Sequence, residues 1–268
     1  LPVDDASKIV ISTDALVEGI HFFGEEEVDL IAQKSLRTNL SDMAAMGATP
    51  WVYTLSLSLG PVLKGTLEQW VASFVKGLKK DQDKYNVGLI GGDTVSGSGP
   101  TVISITIIGR ADPRGVITRN GASVYDDIYV SGTMGDSAAG LKIIKEPIND
   151  LAHSEQSYLK ERYYLPNPRV KLGRALVGIA SAAMDVSDGL IQDLGHLCSA
   201  SGLGAIVNWP LLPLSKGVKQ LLQKKVISTS SIVNGGDDYE LLFTAPKRLR
   251  TKVEAIAEAS DVVVTRIG

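Results

Sequence analysis

The sequence predicts a mixed α/β chain, of the α+β kind, folded as two domains. Three observations carry this. Strand-like and helix-like segments alternate along the whole chain. A turn-rich stretch interrupts the alternation near the middle. And 268 residues, 44% of them hydrophobic, suffice for two ordinary cores. Aromatic residues make up only 6%, so Ile, Leu, Val and Ala must fill those cores.

The elements follow in order. "KIVIS", residues 8–12, reads as a strand. Residues 29–46 carry Ile31, Leu36, Leu40 and Met43 at roughly helical spacing, with Gly47 as the stop. "WVYTLSLSL", 51–59, alternates Leu55, Leu57 and Leu59 with Ser56 and Ser58, the pattern of a half-buried strand. Residues 66–80 suit an amphipathic helix, "VGLIGGD" a short buried strand ending in glycines, and "TVISITIIG", 101–109, a third strand. "ADPRGVITRNGASVYD", 111–126, is rich in turn residues. The domain boundary is placed there, giving an α/β domain over 1–115 and an α+β domain over 116–268. Beyond it come a strand at 127–131, a helix at 136–145, a polar helix, and a helix at about 168–180 opened by "LPNPR". "GLGAIVNW" and "ELLFTA" read as strands, and 247–259 as a helix.

Composition narrows function. A net charge of −3 and a pI near 5.7 leave no basic excess for nucleic-acid phosphates. No apolar run is long enough to span a membrane. The single cysteine, Cys198, precludes an internal disulfide and suits a reducing cytoplasm; by residue type it is a small buried hydrophobe. The N-terminus, "LPVDDASK", reads as starting partway into a longer protein.

The chemistry lies in aspartates. "AAMDVSDGLIQDLGH" sets Asp185, Asp188 and Asp193 among small and apolar residues with no Lys or Arg nearby. The same design, an apolar run and then Asp flanked by Gly, Ser or Thr, recurs in "VISTD" (Asp14), "NLSDMAAMG" (Asp42), "LIGGDT" (Asp93) and "NGGDDYE" (Asp237, Asp238). One such Asp is ordinarily a turn or helix-capping residue, as Asp136 in "GTMGDSAAG" is read. Five such places together point to a hard-oxygen environment suited to Mg²⁺ and phosphate. No G-x-x-x-x-G-K-[ST] loop, G-x-G-x-x-G turn or H-E-x-x-H helix is present. "GTMGDSAAGL" alone reads as a tight turn before a helix, with a weak alternative as a phosphate cradle.

"STDALVEGIHF", "NLSDMAAMGATP", "LIGGDT", "DVSDGLIQDLGH" and "GGDDYELLFT" together resemble, in order and spacing over nearly the whole chain, the thiamine-monophosphate kinase family. The resemblance implies the aminoimidazole-ribonucleotide synthetase-like fold, with an N-terminal domain that dimerises through its sheet. It implies a reaction of ATP with thiamine monophosphate giving ADP and thiamine diphosphate, with several Mg²⁺ ions. Carried over by motif, Ser12, Thr13 and Asp14 resemble metal ligands at the end of the first strand, with Asp42, Asp93, Asp185 and Asp188 as further metal carboxylates. Gly92, Asp93, Arg119 and Ser187 resemble the ATP-contacting positions, and His21 and Asp237 those that meet thiamine monophosphate. By residue alone His21 is a structural histidine beside a turn. No general acid or base is implied, since the attacking phosphate oxygen is already anionic.

There are departures. Asp4 and Asp5 match the loop after the family's N-terminal Gly-Asp-Asp motif and are read as solvated loop residues. "TRIG" stops before the family's C-terminal substrate-packing segment. Asp237 stands where Glu is usual, and Leu165 where Arg is common. Two other readings stand beside the kinase: an ATP-dependent synthetase of the same superfamily, and a non-catalytic metal-binding, dimerising module.

Overall fold

The computed structural model describes residues 8–62, 65–148 and 151–268. These fall into two compact units. One holds the described residues up to Met43 together with Thr49–Ala111; the other holds Ala44–Ala48 and Asp112–Gly268.

In the first unit the chain runs β1 (Ile9–Val17), α1 (Val28–Ala45), β2 (Thr49–Leu59), α2 (Leu67–Tyr85), β3 (Gly88–Ser96) and β4 (Val102–Arg110). The strands form one sheet in the order β1-β4-β2-β3. Only β2 and β3 are parallel, because α2 carries the chain between them. Alternation decides the faces. Ile103, Ile105 and Ile107 of β4 and Tyr53 of β2 are buried, at 0–1% exposure, on the face the helices cover. Val102, Ser104, Thr106 and Ile108 point the other way. That second face is a band of Ser and Thr with Ile11 (62% exposed) near one end and Val95 (54%) near the other.

Helix α1 is buried at every residue from Ile31 to Ser41, and most of its polar side chains there find protein partners; the Ser41 hydroxyl finds none among the described residues. Arg37 donates to both Asp81 oxygens (Nε–Oδ2 2.6 Å, Nη2–Oδ1 2.9 Å). Ser35 and Thr38 return to α1 carbonyls. Gly77 of α2 touches the backbone of Asp29, where a Cβ would meet the Asp29 carbonyl oxygen at 2.3 Å.

In the second unit the sheet order is β6-β7-β5-β8, from β5 (Asp127–Ser131), β6 (Ala182–Asp185), β7 (Leu241–Ala245) and β8 (Val264–Arg266). One face packs on α3 (Asp136–Lys145), α4 (His153–Tyr164), α6 (Leu190–Ser201) and α7 (Lys216–Gln223), through Val130, Leu242, Ile143, Leu159, Leu194 and Leu221. The other packs on α5 (Val170–Leu176) and α9 (Arg250–Ser260), through Tyr129, Phe243, Leu172 and Val253. Helix α8 (Thr229–Val233) leads into the acidic loop before β7. With helices on both faces, β5 and β7 are buried at every residue.

Three expectations need correcting. The first strand runs on to Val17, so Ser12, Thr13 and Asp14 lie within it rather than at its end. The helix expected over 168–180 stops at Leu176, where Gly178 turns left-handed (φ 77°). The strand expected in 202–209 does not form. Its apolar residues find no partner strand among the described residues, Ile206 is 87% exposed, and the segment is tied across to the end of β8 by the Asn208 N–H donating to the Ile267 carbonyl at 2.7 Å.

Candidate active site

In the first unit the structure brings together Ser12, Asp14 and Asp42. Strand alternation puts Ser12 and Asp14 on the helix-covered face of β1. Asp42 descends on them from the last turns of α1, and Ser12 Oγ donates to its Oδ2. Asn39, one turn earlier, accepts the Asp14 amide at 3.3 Å. Burial, then the neighbouring Asp42 charge and a hydrogen bond with it, raise the Asp14 carboxyl from 3.8 to about 6. A cation placed here would relieve that repulsion. The donors are all oxygens, so the set fits Mg²⁺.

Thr13 and Asp93 do not join this cluster within one chain. Thr13 faces the Ser/Thr band and its hydroxyl meets that of Thr106 at 2.9 Å. Asp93 pairs across β2 with Ser56, and Ser56 with Ser104, so it shares the open face. It sits three strand spacings from β1, about 14 Å. The apolar run before Asp93 predicts a buried strand. β3 is instead an edge strand, exposed along nearly its whole length. Gly92 is forced by backbone approach, since a Cβ there would meet the Leu55 carbonyl oxygen at 1.8 Å.

In the second unit two loops are laced together. Asp185 ends β6 and is buried; Asp188, three residues on, is exposed. Val186 N–H donates to the Glu240 carbonyl, Tyr239 N–H to that of Val186, and Asp237 N–H to that of Ser187, each at 2.8 Å. The 235–240 loop needs left-handed backbone at Asp237 (φ 67°) and Tyr239 (φ 49°), a conformation that costs energy in a tyrosine. Buried ion pairs hold it. Glu240 accepts from Arg162 (2.9 Å), Arg169 (2.6 Å) and Ser131 Oγ (2.5 Å). Arg162 also donates to the Asp238 carbonyl at 2.9 Å.

Asp238 turns inward to the start of α3, accepting from the Gly135 amide (2.6 Å) and the Ser137 amide (3.1 Å). Burial raises its carboxyl to about 7, against these two bonds. It therefore caps α3, whose own N-cap, Gly135, offers no side chain. This settles "GTMGDSAAG": those amides already hold a carboxylate, so the turn is structural. Asp136 is not the cap but the first helical residue, accepting from Thr133 and Tyr158.

Asp193, to which the motifs assigned no role, lies within hydrogen-bond reach of the Ser187–Gly189 backbone. Burial raises its carboxyl while those amides pull the other way. His196 follows on the same helix, and Asp188, Asp193 and His196 each place a ligand-type atom within 4.8 Å of the others. His21 sits in the turn after β1, its Nδ1 accepting the Val17 amide at 3.0 Å. Arg119 is exposed on the loop before β5, and its carbonyl accepts from Ser201 Oγ. A cavity of about 650 Å³ between Ala122 and Gly268 contains none of the residues predicted for the site. Asp4 and Asp5 lie outside the described residues. No described helix is long and apolar enough to cross a membrane.

Comparison with known proteins bears on the fold and the family. Residues 1–111 match the family described as "AIR synthase related protein, N-terminal domain", and 126–268 the corresponding C-terminal domain. A thiamine-monophosphate kinase of Haemophilus influenzae is 40% identical over 99% of this chain and 79% of its own length. One of Aquifex aeolicus is 33% identical over 92% of this chain and 79% of its own. The crystal structure of thiamine-monophosphate kinase from Stenotrophomonas maltophilia superposes with a TM-score of 0.90 at 38% identity, covering 100% of this chain and 84% of that one. AaThiL complexed with AMPPCP and TMP superposes at 0.87 with 30% identity, over 98% of this chain and 81% of that one. Hydrogenase maturation protein HypE, at 18% identity and a TM-score of 0.78, shares the fold alone. Fold and relatives together show that the chain belongs to the thiamine-monophosphate kinase family.

Proposed function

We propose that this chain transfers the γ-phosphoryl group of ATP to thiamine monophosphate, giving ADP and thiamine diphosphate. The observation that carries the reading is full-length identity of up to 40% to kinases of that name, with the oxygen cluster of Ser12, Asp14 and Asp42 at the matching motif. The AaThiL complex with AMPPCP and TMP supports an ATP-type nucleotide and this acceptor.

Asp14 and Asp42 with Ser12, and Asp185 and Asp188, are the carboxylate sets that would hold Mg²⁺, with Asp93 as a further one. Bound there, Mg²⁺ supplies charge neutralisation between two polyanions. Gly92 and Asp93, Arg119 and Ser187 would meet the nucleotide. His21 and Asp237 would meet thiamine monophosphate; the His21 ring is already oriented by the Val17 amide. The attacking oxygen belongs to the substrate's own phosphate, so the residues bind and align rather than move protons.

The chain would act as a homodimer. The Ser/Thr face and the β3 edge, with Leu89, Ile90 and Val95 about half exposed, are what a second copy would cover. The reading carries a cytoplasmic enzyme with no nucleic-acid partner.

The test is ADP release with thiamine monophosphate against amide and selenide acceptors, with Mg²⁺ and with a chelator. Turnover is expected only with thiamine monophosphate and Mg²⁺. Turnover of another acceptor points to the synthetase, and none at all to the non-catalytic module.

A further inference from the structure

The Ser187–Gly189 turn carries two of the residues that the kinase reading gives to nucleotide and metal, and it is built in an unusual way. One oxygen, Asp193 Oδ2, accepts three successive amides: Ser187 at 3.0 Å, Asp188 at 3.1 Å and Gly189 at 3.2 Å. Asp193 is 1% exposed. A capping carboxylate normally precedes its helix and takes amides inside the first turn. Asp193 lies one turn inside α6 and reaches back to amides that precede the helix. What it holds is the turn.

The opposite edge of the turn is held too. The Val186 and Ser187 carbonyls accept the Tyr239 and Asp237 amides. Gly189 has φ 119°, and a Cβ there would meet the Asn234 carbonyl carbon at 2.8 Å, so its backbone packs directly on that of Asn234 at the end of α8. With amides and carbonyls both fixed, the Asp188 side chain is exposed, and Gln192 Nε2 donates to its Oδ2 at 3.0 Å.

Three successive amides converging on one point form the sort of concavity that takes phosphate in other proteins. Here the chain's own carboxylate fills it. Contact at this turn is thereby left to side chains, Ser187 toward nucleotide and Asp188 toward metal.

We propose that Asp193 is a positioning residue for phosphoryl transfer: its buried carboxylate locks the Ser187–Gly189 peptides so that Ser187 and Asp188 are presented in one orientation to nucleotide and metal. The proposal rests on the kinase reading for the roles of Ser187 and Asp188, and deepens it.

The test compares wild type, Asp193→Ala and Asp193→Asn. The readouts are the Mg²⁺ midpoint of activity, the KM for each substrate, the thermal midpoint, and Mg²⁺-dependent binding of a non-hydrolysable ATP analogue. Removing a group that orients a metal ligand typically costs roughly ten- to a hundredfold in metal affinity or activity. Asp193→Ala is therefore expected to raise the Mg²⁺ midpoint and the KM for ATP by about tenfold or more, with the KM for thiamine monophosphate nearly unchanged. Asp193→Asn keeps one acceptor oxygen and should recover part of that loss. A folded Asp193→Ala with wild-type Mg²⁺ and ATP constants overturns the proposal, as does a variant altered only in thermal midpoint. Should Asp193→Ala fail to fold, Asp193→Asn decides by the same constants. Absence of turnover in the wild type would instead count against the kinase reading, and analogue binding would still test Asp193.

Discussion

Thr13 and Asp14 are adjacent in the chain and face opposite sides of β1. Only Asp14 shares its face with Asp42. Asp14→Asn or Asp42→Asn should therefore lower kcat by about a hundredfold, on the order of 3 kcal/mol of charge stabilisation. Thr13→Val, which removes a hydroxyl contact with Thr106, should leave activity near wild type. Steady-state kinetics on the three variants checks this; a dead Thr13→Val beside an active Asp14→Asn would reverse the assignment. Asp238 yields a pH dependence. Its carboxyl sits at about 7 in the fold against an ordinary 3.8, because burial and the Asp136 charge outweigh the Gly135 and Ser137 amides and Arg162. Between about pH 4 and 7 the folded chain thus holds a proton that the unfolded chain has released. That contribution to stability is full at the acid end, falls as pH rises through the window, and is level above it. Urea midpoints measured from pH 5 to 8 should show the decline, and Asp238→Asn should flatten its part above pH 6, the raised Asp14 carboxyl contributing below that. Apolar runs and small neighbours made Asp14, Asp42 and Asp188 legible as carboxylates held in place by the fold. They could not separate the work of Asp237 from that of Asp238, or assign Asp193. Those roles depend on which distant amide each oxygen meets.

At the scale of elements, α1 shows both the reach and the limit of periodicity. Its extent was legible from Ile31, Leu36, Leu40 and Met43. Its burial from Ile31 to Ser41 was not, because Gln33, Lys34, Arg37 and Asn39 interrupt the apolar pattern. Gln33 turns back to the Asp29 carbonyl within the helix, but Lys34 reaches the His21 carbonyl and Arg37 finds Asp81 in α2, 44 residues away. Breaking one side of such a buried pair strands the other charge. Arg37→Ala is expected to cost about 3–5 kcal/mol, more than an exposed pair such as Lys79–Asp83 could contribute. Chemical denaturation of the single and double variants measures it, and Arg37→Ala with Asp81→Ala should recover part of the loss. β3 and 203–208 show the reverse failure. Both are apolar, and the pattern predicts a strand in each, over 202–209 in the second case. β3 obtained a partner in β2 and became an edge; 203–208 obtained none and stayed irregular.

At the scale of the whole molecule, the alternation of patterns and the turn-rich middle made two α/β units legible, and five motifs made the family legible. Strand order was not, since nothing local tells β4 to lie between β1 and β2. That order places the Ser/Thr band at the centre of an open face. A charge there should block association: Ser56→Arg or Thr106→Arg is expected to sediment as a monomer at micromolar concentration where the wild type sediments as a dimer. A wild-type monomer under those conditions would remove the homodimer from the proposal. The β3 edge has a further consequence. Strand pairing with β2 engages one side of its backbone, and the peptide N–H groups on the other side have no strand neighbour among the described residues. In heavy water those outward amides should swap their hydrogen for deuterium quickly in a dilute sample and more slowly as the sample is concentrated, while the β4 amides, flanked on both sides, stay slow throughout.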